Sequence, residues 1–523
     1  MLNVSRNNAV YNVMDFGAIG DGKRLDTAAI QAALDAANEA GGGEVWIPSG
    51  VYLSFSLQVF SHITLKILPG ATLLAANPNE HSQGYHAPEP NIWGDTHKYQ
   101  DFGHSHFRNS LIWGEDISHF TLTGGGLIDG SGLWKGLYPP LGPKPSRQPG
   151  NKTLAIKGGK NIALRDINIL RGGHFAVLAT GINNLLIDSV IIDSNRDGID
   201  IDVCKNVRIN NVVVNSPNDD AIVLKSSFVL GAAIPTENVT ISNSIVSGYD
   251  VGTVLDGTYQ TTTTRAPDGD GPTGRIKLGT ESNGGFHNIT LNNIVFDRSR
   301  GLAIETVDGG SITNVVASNL TMRDVSSSPI FIRLGARLRG PTGIAPGRIS
   351  GVKVSNVIAS NVNSTYPVII AGLPGSPVEN VTLKDIRIEP NSGLTWSDVE
   401  DQPDHLVNPF FFDKQKYLHS KGEYLAAAGY PEPSMFGVLP AYGAYILHGK
   451  GINLSDVEIS NDHKDTRAGV YLAKTHSVSV QRVNTQPKAQ ADWLVIEDAS
   501  DVHINGSNGL GEVHLGNVRS ARY

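Results

Sequence analysis

The sequence predicts an all-β solenoid, a right-handed parallel β-helix with an N-terminal capping helix and long loop insertions. Three observations carry this expectation. A short phrase of alternating apolar residues returns along the chain, its copies stand a fixed step apart, and the composition is that of a turn-rich β protein with a core. Glycine makes up 58 of 523 residues and charged residues 18%, while hydrophobic residues hold at 40%.

The phrase runs Asn, apolar, any, apolar, any, Asn or Asp. It reads Asn161-Ile-Ala-Leu-Arg-Asp, Asn184-Leu-Leu-Ile-Asp-Ser, Asn206-Val-Arg-Ile-Asn-Asn, Asn238-Val-Thr-Ile-Ser-Asn and Asn288-Ile-Thr-Leu-Asn-Asn, with later copies from Gly351, Asn380, Gly451, Ser477 and Asp501. Alternation within each copy is a strand with one buried face. The first copies start 23 and 22 residues apart and later ones at longer steps, the pattern of a solenoid with loop insertions. One coil therefore takes about 22 residues, and coils stack at the ~4.8 Å spacing of hydrogen-bonded strands. The repeated Asn is read as a structural ladder at a turn.

One domain is expected over residues 1–523, with residues 12–60 forming the cap and first coils. Asp26 is the expected N-cap of an amphipathic helix that keeps Ile30, Ala33, Leu34 and Ala37 on one face and ends at Gly41. Such a helix suits the open end of a solenoid, whose terminal coil must hide an unpaired edge. Ala75 to Phe107, Asp256 to Thr273 and Thr395 to Tyr442 break the rhythm and are expected to form groove walls, since long loops on a regular scaffold carry function.

Composition narrows the function classes. A net charge of −8 and one cysteine, Cys204, offer neither a basic field for nucleic acid or membrane nor a disulfide framework. No Cys/His cluster has structural-zinc spacing, and no stretch of about 18 apolar residues occurs. Residues 1–12 lack the basic and apolar regions of a signal peptide. A polysaccharide or oligosaccharide partner is expected, with no nucleic acid, no membrane, no cofactor and no metal.

Laying two coils over each other by their buried residues brings out the chemistry. Ile199 falls on Ile222 and Ile201 on Leu224, so Asp197 and Asp220 stack on adjacent rungs with Asp219 beside them. A lone Asp at such a corner is usually structural, bonding its own backbone. Three crowded carboxylates repel, raise at least one pKa and so can divide acid and base roles. Glycosidic hydrolysis needs that division, one acid for the leaving oxygen and one base for water. Asp200 and Asp202 point outward by alternation and are expected on a solvated face.

At these residues the chain resembles glycoside hydrolase family 28, the polygalacturonase and rhamnogalacturonase family. Asn195-Arg196-Asp197-Gly198 looks like the family's Asn-Thr-Asp-Gly, and Asn218-Asp219-Asp220 like its paired Asp. The opening Asp15-Phe16-Gly17-Ala18-Ile19-Gly20-Asp21-Gly22, followed by Asp26-Thr27, is similar to the start of many pectin-active β-helices. The resemblance spans roughly Asn12 to Ile388. It implies an inverting glycosidase of periplasmic or extracellular action, in which Asp219 is the general acid and Asp197 and Asp220 hold and activate water.

Two further family motifs, Gly-His-Gly and a uronate-binding Arg-x-Lys, meet departures. One register equates Arg275 and Lys277 with Arg-x-Lys. The other, favoured by Gly279 and Gly284-Gly285, puts Arg275 where His is expected and replaces both cations by Ala303 and Glu305. Arg275, Lys277, Lys225 and Arg333 leave their strands on the side away from the core and are candidate substrate-binding cations, while Glu305 suits the hydroxyls of a neutral sugar such as rhamnose. His174 lies about one coil before Asp197 and is a candidate to reach the same groove and bind substrate, with a structural role the alternative. Trp93, Trp113, Trp134, Tyr259 and Tyr442 are available to stack on sugars or to fill the core. Insertions on both sides of the acidic cluster point to a closed pocket and exo-action. The rival reading is a lyase, in which Asp197, Asp219 and Asp220 would hold Ca²⁺ and Arg275 would act as base. A non-catalytic carbohydrate-binding β-helix is the other.

Overall fold

The computed structural model describes residues 9–90, 102–135, 148–420, 427–460, 463–486 and 491–523. The described residues form a 31-stranded sheet whose strands pair in parallel with strands about one coil further along the chain. Residues pack into two compact units, one reaching to Ile222 and including Val239–Ser244 and Tyr249–Thr262, the other comprising Val223–Asn238, Ile245–Gly248 and Thr263–Tyr523.

In the first unit, strands Lys152–Leu170, Phe175–Asp193 and Asp197–Asp202 stack in one register. Leu154 lies over Val177 and Val177 over Ile199, all buried, so the apolar member of each alternation becomes one column of the core. In the second, Leu278, Ile304, Ile332 and Ile370 form the equivalent column. Burying such columns is the main stabilising term, about 25 cal/mol per Å² of apolar surface removed from water.

The phrase-initial Asn has a backbone reason. Asn161, Asn184 and Asn206 adopt φ of +58°, +65° and +58°, the left-handed region that Asn tolerates better than most side chains. The Asn184 amide donates to Asn161 Oδ1 at 2.7 Å, and Asn314 donates to Asn288 at 3.0 Å, so successive turns are also tied by an amide ladder.

The helix spans Thr27–Glu39 and buries Ile30, Ala33, Leu34 and Ala37. Gln31 fixes it to strand Leu57–Gln58 by exchanging two hydrogen bonds with the Gln58 backbone. Asp26 stands at the N-cap, as expected, but its side chain makes no cap bond: the carboxylate turns back to accept the Ile19 and Gly20 amides at 2.8 and 3.0 Å, tying the preceding loop to the helix start. At the other end of the chain, strands Leu494–Asn505 and Val513–Arg522 pair antiparallel.

Asn184→Ala keeps φ positive without the ladder and should cost about 1–2 kcal/mol, whereas Asn184→Gly, free of the φ penalty, should cost clearly less. Urea-unfolding midpoints of the two variants check this order.

Candidate active site

The coil register converts sequence distance into proximity. Lys152 pairs with Phe175 and Phe175 with Asp197, while the Gly198 and Ile199 amides donate to the Asp220 and Ala221 carbonyls at 3.0 and 2.9 Å. Asp197 and Asp220 are buried at the strand edge and Asp219 is partly exposed. Carboxylate oxygens of Asp197, Asp219 and Asp220 all lie within 4.8 Å of one another. The corner is braced by the Asp220 amide on Asp219 Oδ1, the Asn218 amide on the Asn195 carbonyl, and the Ser216 hydroxyl on the Arg196 carbonyl.

Arg196, the residue that stands for Thr in the family-like motif, is the group the sequence reading passed over. Its guanidinium is buried and donates through Nε, at 3.0 Å, and Nη2 to the same oxygen of Asp219. Its Nη1 lies 3.4 Å from His174 Nδ1, and the His174 ring packs on Phe175 at 4.3 Å. His174 thus sits beside the acidic cluster. A guanidinium at this distance favours an ionised carboxylate.

Asp200 and Asp202 are not on a solvated face: both are fully buried. Asp200 lies 3.1 Å from His104 Nε2, a side chain delivered by the short 3-10 turn Phe102–Ser105 inside the first insertion, and His104 also packs on Phe175. Lys152, two rungs before Asp197, is also fully buried. Its ammonium donates to Asn151 Oδ1 at 2.7 Å and lies 5.9 Å from the Phe175 ring centre. Burial pushes this lysine down to about 7, with Glu89 acting in the opposite direction. Its signal was in the sequence, since the steps from Lys152 to Phe175 and from Phe175 to Asp197 are the coil repeat.

The second unit holds the cations expected to meet substrate, and it covers them. Lys225, Arg275, Lys277 and Arg333 are buried instead of lying on an exposed side. Arg275 donates through both Nη atoms to Glu432, at 2.8 and 2.5 Å. Lys277 donates to the Tyr430 hydroxyl at 3.1 Å and lies 3.9 Å from Glu305. Lys225 pairs with Glu281 at 3.0 Å. Arg333 stands in register with Glu305, donates to the Gly372 carbonyl and packs on Phe436; burial lowers it to about 10 against the opposing pull of Glu305. Tyr430, Glu432 and Phe436 all come from the third insertion, which closes over this row. Of the aromatic candidates, Trp113, Trp134 and Tyr442 are buried, Tyr259 is exposed, and Trp93 lies outside the described residues.

A parallel β-helix whose coil step brings three carboxylates together holds the groups that glycosidic hydrolysis requires. The model of glycosyl hydrolases family 28 matches residues 94–248 and 233–404, more than half of the chain, and a model described as rhamnogalacturonase A/epimerase, pectate lyase-like, matches residues 10–68. A probable polygalacturonase of Vitis vinifera is 24% identical over 402 residues, covering 72% of this chain and 74% of its own. Among solved structures, an exopolygalacturonase of Thermotoga maritima aligns with a TM-score of 0.55 at 20% identity, covering 73% of this chain and 87% of its own. A family 28 exopolygalacturonase of Yersinia enterocolitica aligns at 0.54 and 18%, covering 87% and 78%. The chain belongs to glycoside hydrolase family 28 and is a polygalacturonase-like glycosidase. No helix among the described residues is long and apolar enough to cross a membrane.

A lysine held near 7 binds fewer protons folded than unfolded, where its pKa lies near ~10.4, so its burial costs least at high pH. Stability should therefore rise by a few kcal/mol as pH rises from about 7 toward ~10. Lys152→Met should flatten that rise in denaturation curves taken across the window.

Proposed function

We propose that the protein hydrolyses a glycosidic bond in a pectin-derived or related acidic glycan, acting by inversion and from a chain end, outside the cytoplasm. The observation that carries the reading is the convergence of Asp197, Asp219 and Asp220 within 4.8 Å. In the proposed division of roles, Asp219 protonates the leaving oxygen while Asp197 and Asp220 hold and activate water. Family membership supports inversion. One oxygen from each carboxylate lies within 4.8 Å of the others, close enough for two of them to share one water. The anomer first released, read by proton NMR, tests inversion.

Exo-action is supported by the third insertion, which covers the row of Arg275, Lys277 and Arg333 and closes that stretch of the outward face. Strand order supports the register in which Arg-x-Lys is replaced: strand Ile222–Ser226 pairs with Ile276–Ser282, which pairs with Leu302–Thr306, setting Ala303 opposite Lys277 one coil on, with Glu305 two residues further along the same strand. Arg275, Lys277 and Lys225 each face a carboxylate of the protein, which favours a neutral sugar such as rhamnose at the cleaved position over uronate capture by these cations.

Asp219→Asn should lower kcat by roughly 10²-fold or more, the scale of a general acid, and wild-type turnover in that variant would end the assignment. Because Arg196 favours ionised Asp219, Arg196→Thr should move the basic limb of the kcat/KM profile to higher pH. An unmoved limb would mean that Asp219 is not the group titrating there.

A further inference from the structure

The antiparallel strand pair that ends the second unit carries three side chains with no part in the proposed hydrolysis. His503 and His514 are directly opposed across the pair, and Asp501 is two residues before His503. Each His Nε2 faces the same oxygen, Asp501 Oδ1, at 3.1 and 3.2 Å. The imidazole planes stack nearly parallel, 11° apart, with centres 4.0 Å apart, and one ligand atom from each of the three residues lies within 4.8 Å of the others.

Stability does not account for this arrangement. The three side chains are 41–57% exposed, and ion pairs at such exposure contribute little. Imidazole nitrogens are the commonest protein ligands for metal ions. The strands hold the donors on one rigid face, partial exposure leaves room for water to complete the coordination, and Glu512 lines the same surface cavity as His503.

We propose that Asp501, His503 and His514 form a binding site for a first-row divalent transition metal, with zinc the best match. Two imidazoles and one carboxylate suit zinc, copper or nickel, whereas calcium and magnesium take oxygen ligands. Zinc bonds of about 2.0–2.2 Å are within reach of these donors after small side-chain rotations. A bound ion would clamp strand Val513–Arg522 onto Leu494–Asn505. The ion would bind the unprotonated ligands.

The test is zinc titration of the full chain, free of any affinity tag, by calorimetry near pH 7.5, with amide exchange as second readout. We expect one equivalent of zinc bound at micromolar Kd, and a loss of at least about 10-fold in affinity for His503→Gln and for His514→Gln. His476→Gln, outside the trio, should bind as wild type. At zinc about 100 times Kd, exchange in strand Val513–Arg522 should slow by about 100-fold. No binding at about 1 mM zinc, or binding unchanged in His514→Gln, would overturn the proposal. Because both imidazoles are exposed, the variants should keep the wild-type circular dichroism; loss of zinc without that spectrum would be read from His503→Ala instead, and a folded His503→Ala that binds normally would equally overturn it.

Discussion

The structure depends on one constraint, the in-register stacking of parallel strands at ~4.8 Å. A slip of one residue turns every buried side chain of a coil outward. The apolar columns through Leu154, Val177 and Ile199 hold the coils in register, and the same columns carry Lys152, Phe175 and Asp197 in line at the strand edge. The acidic corner is therefore a by-product of core packing. Three carboxylates can be crowded together because backbone amides and hydrophobic columns hold the segments that bear them, not because the carboxylates attract.

Much of this was legible in the sequence because a solenoid makes contact local in the repeat. The offset that lays Ile199 on Ile222 also lays Asp197 on Asp220, and four buried positions of the N-terminal helix follow from its apolar spacing alone. What stayed hidden depends on segments that follow no period. Asp26 satisfies loop amides instead of the helix start, because Ile19 and Gly20 curl back over it. Asp200 and Asp202 lie buried instead of on a solvated face; beside Asp200 stands His104, from an irregular turn. The cations of the second unit lie buried, and Glu432, the partner of Arg275, stands 157 residues after it, at a distance no periodicity reaches.

The departures from the family pattern form a consistent physical set. Where a uronate carboxylate would need unpaired cations, the outward face of the second unit instead alternates charge along successive coils, Lys277, Glu305 and Arg333, under a lid of Tyr430, Glu432 and Phe436. Burying so many charges is costly unless each meets an opposite charge or a carbonyl. On the proposed reading, the chain retains the three carboxylates and changes the cations that would meet the sugar. Arg196 belongs to the same set, since a guanidinium replacing the family's Thr donates directly to the carboxylate proposed as the acid.

The central claim is that water is the second substrate. Digestion of a panel of rhamnogalacturonan and homogalacturonan oligosaccharides in ¹⁸O-labelled water, followed by mass spectrometry of the products, tests it most directly. Hydrolysis predicts one heavy oxygen at each new reducing end and no unsaturated product. Products that form without the label, or that carry an unsaturated ring, would contradict it.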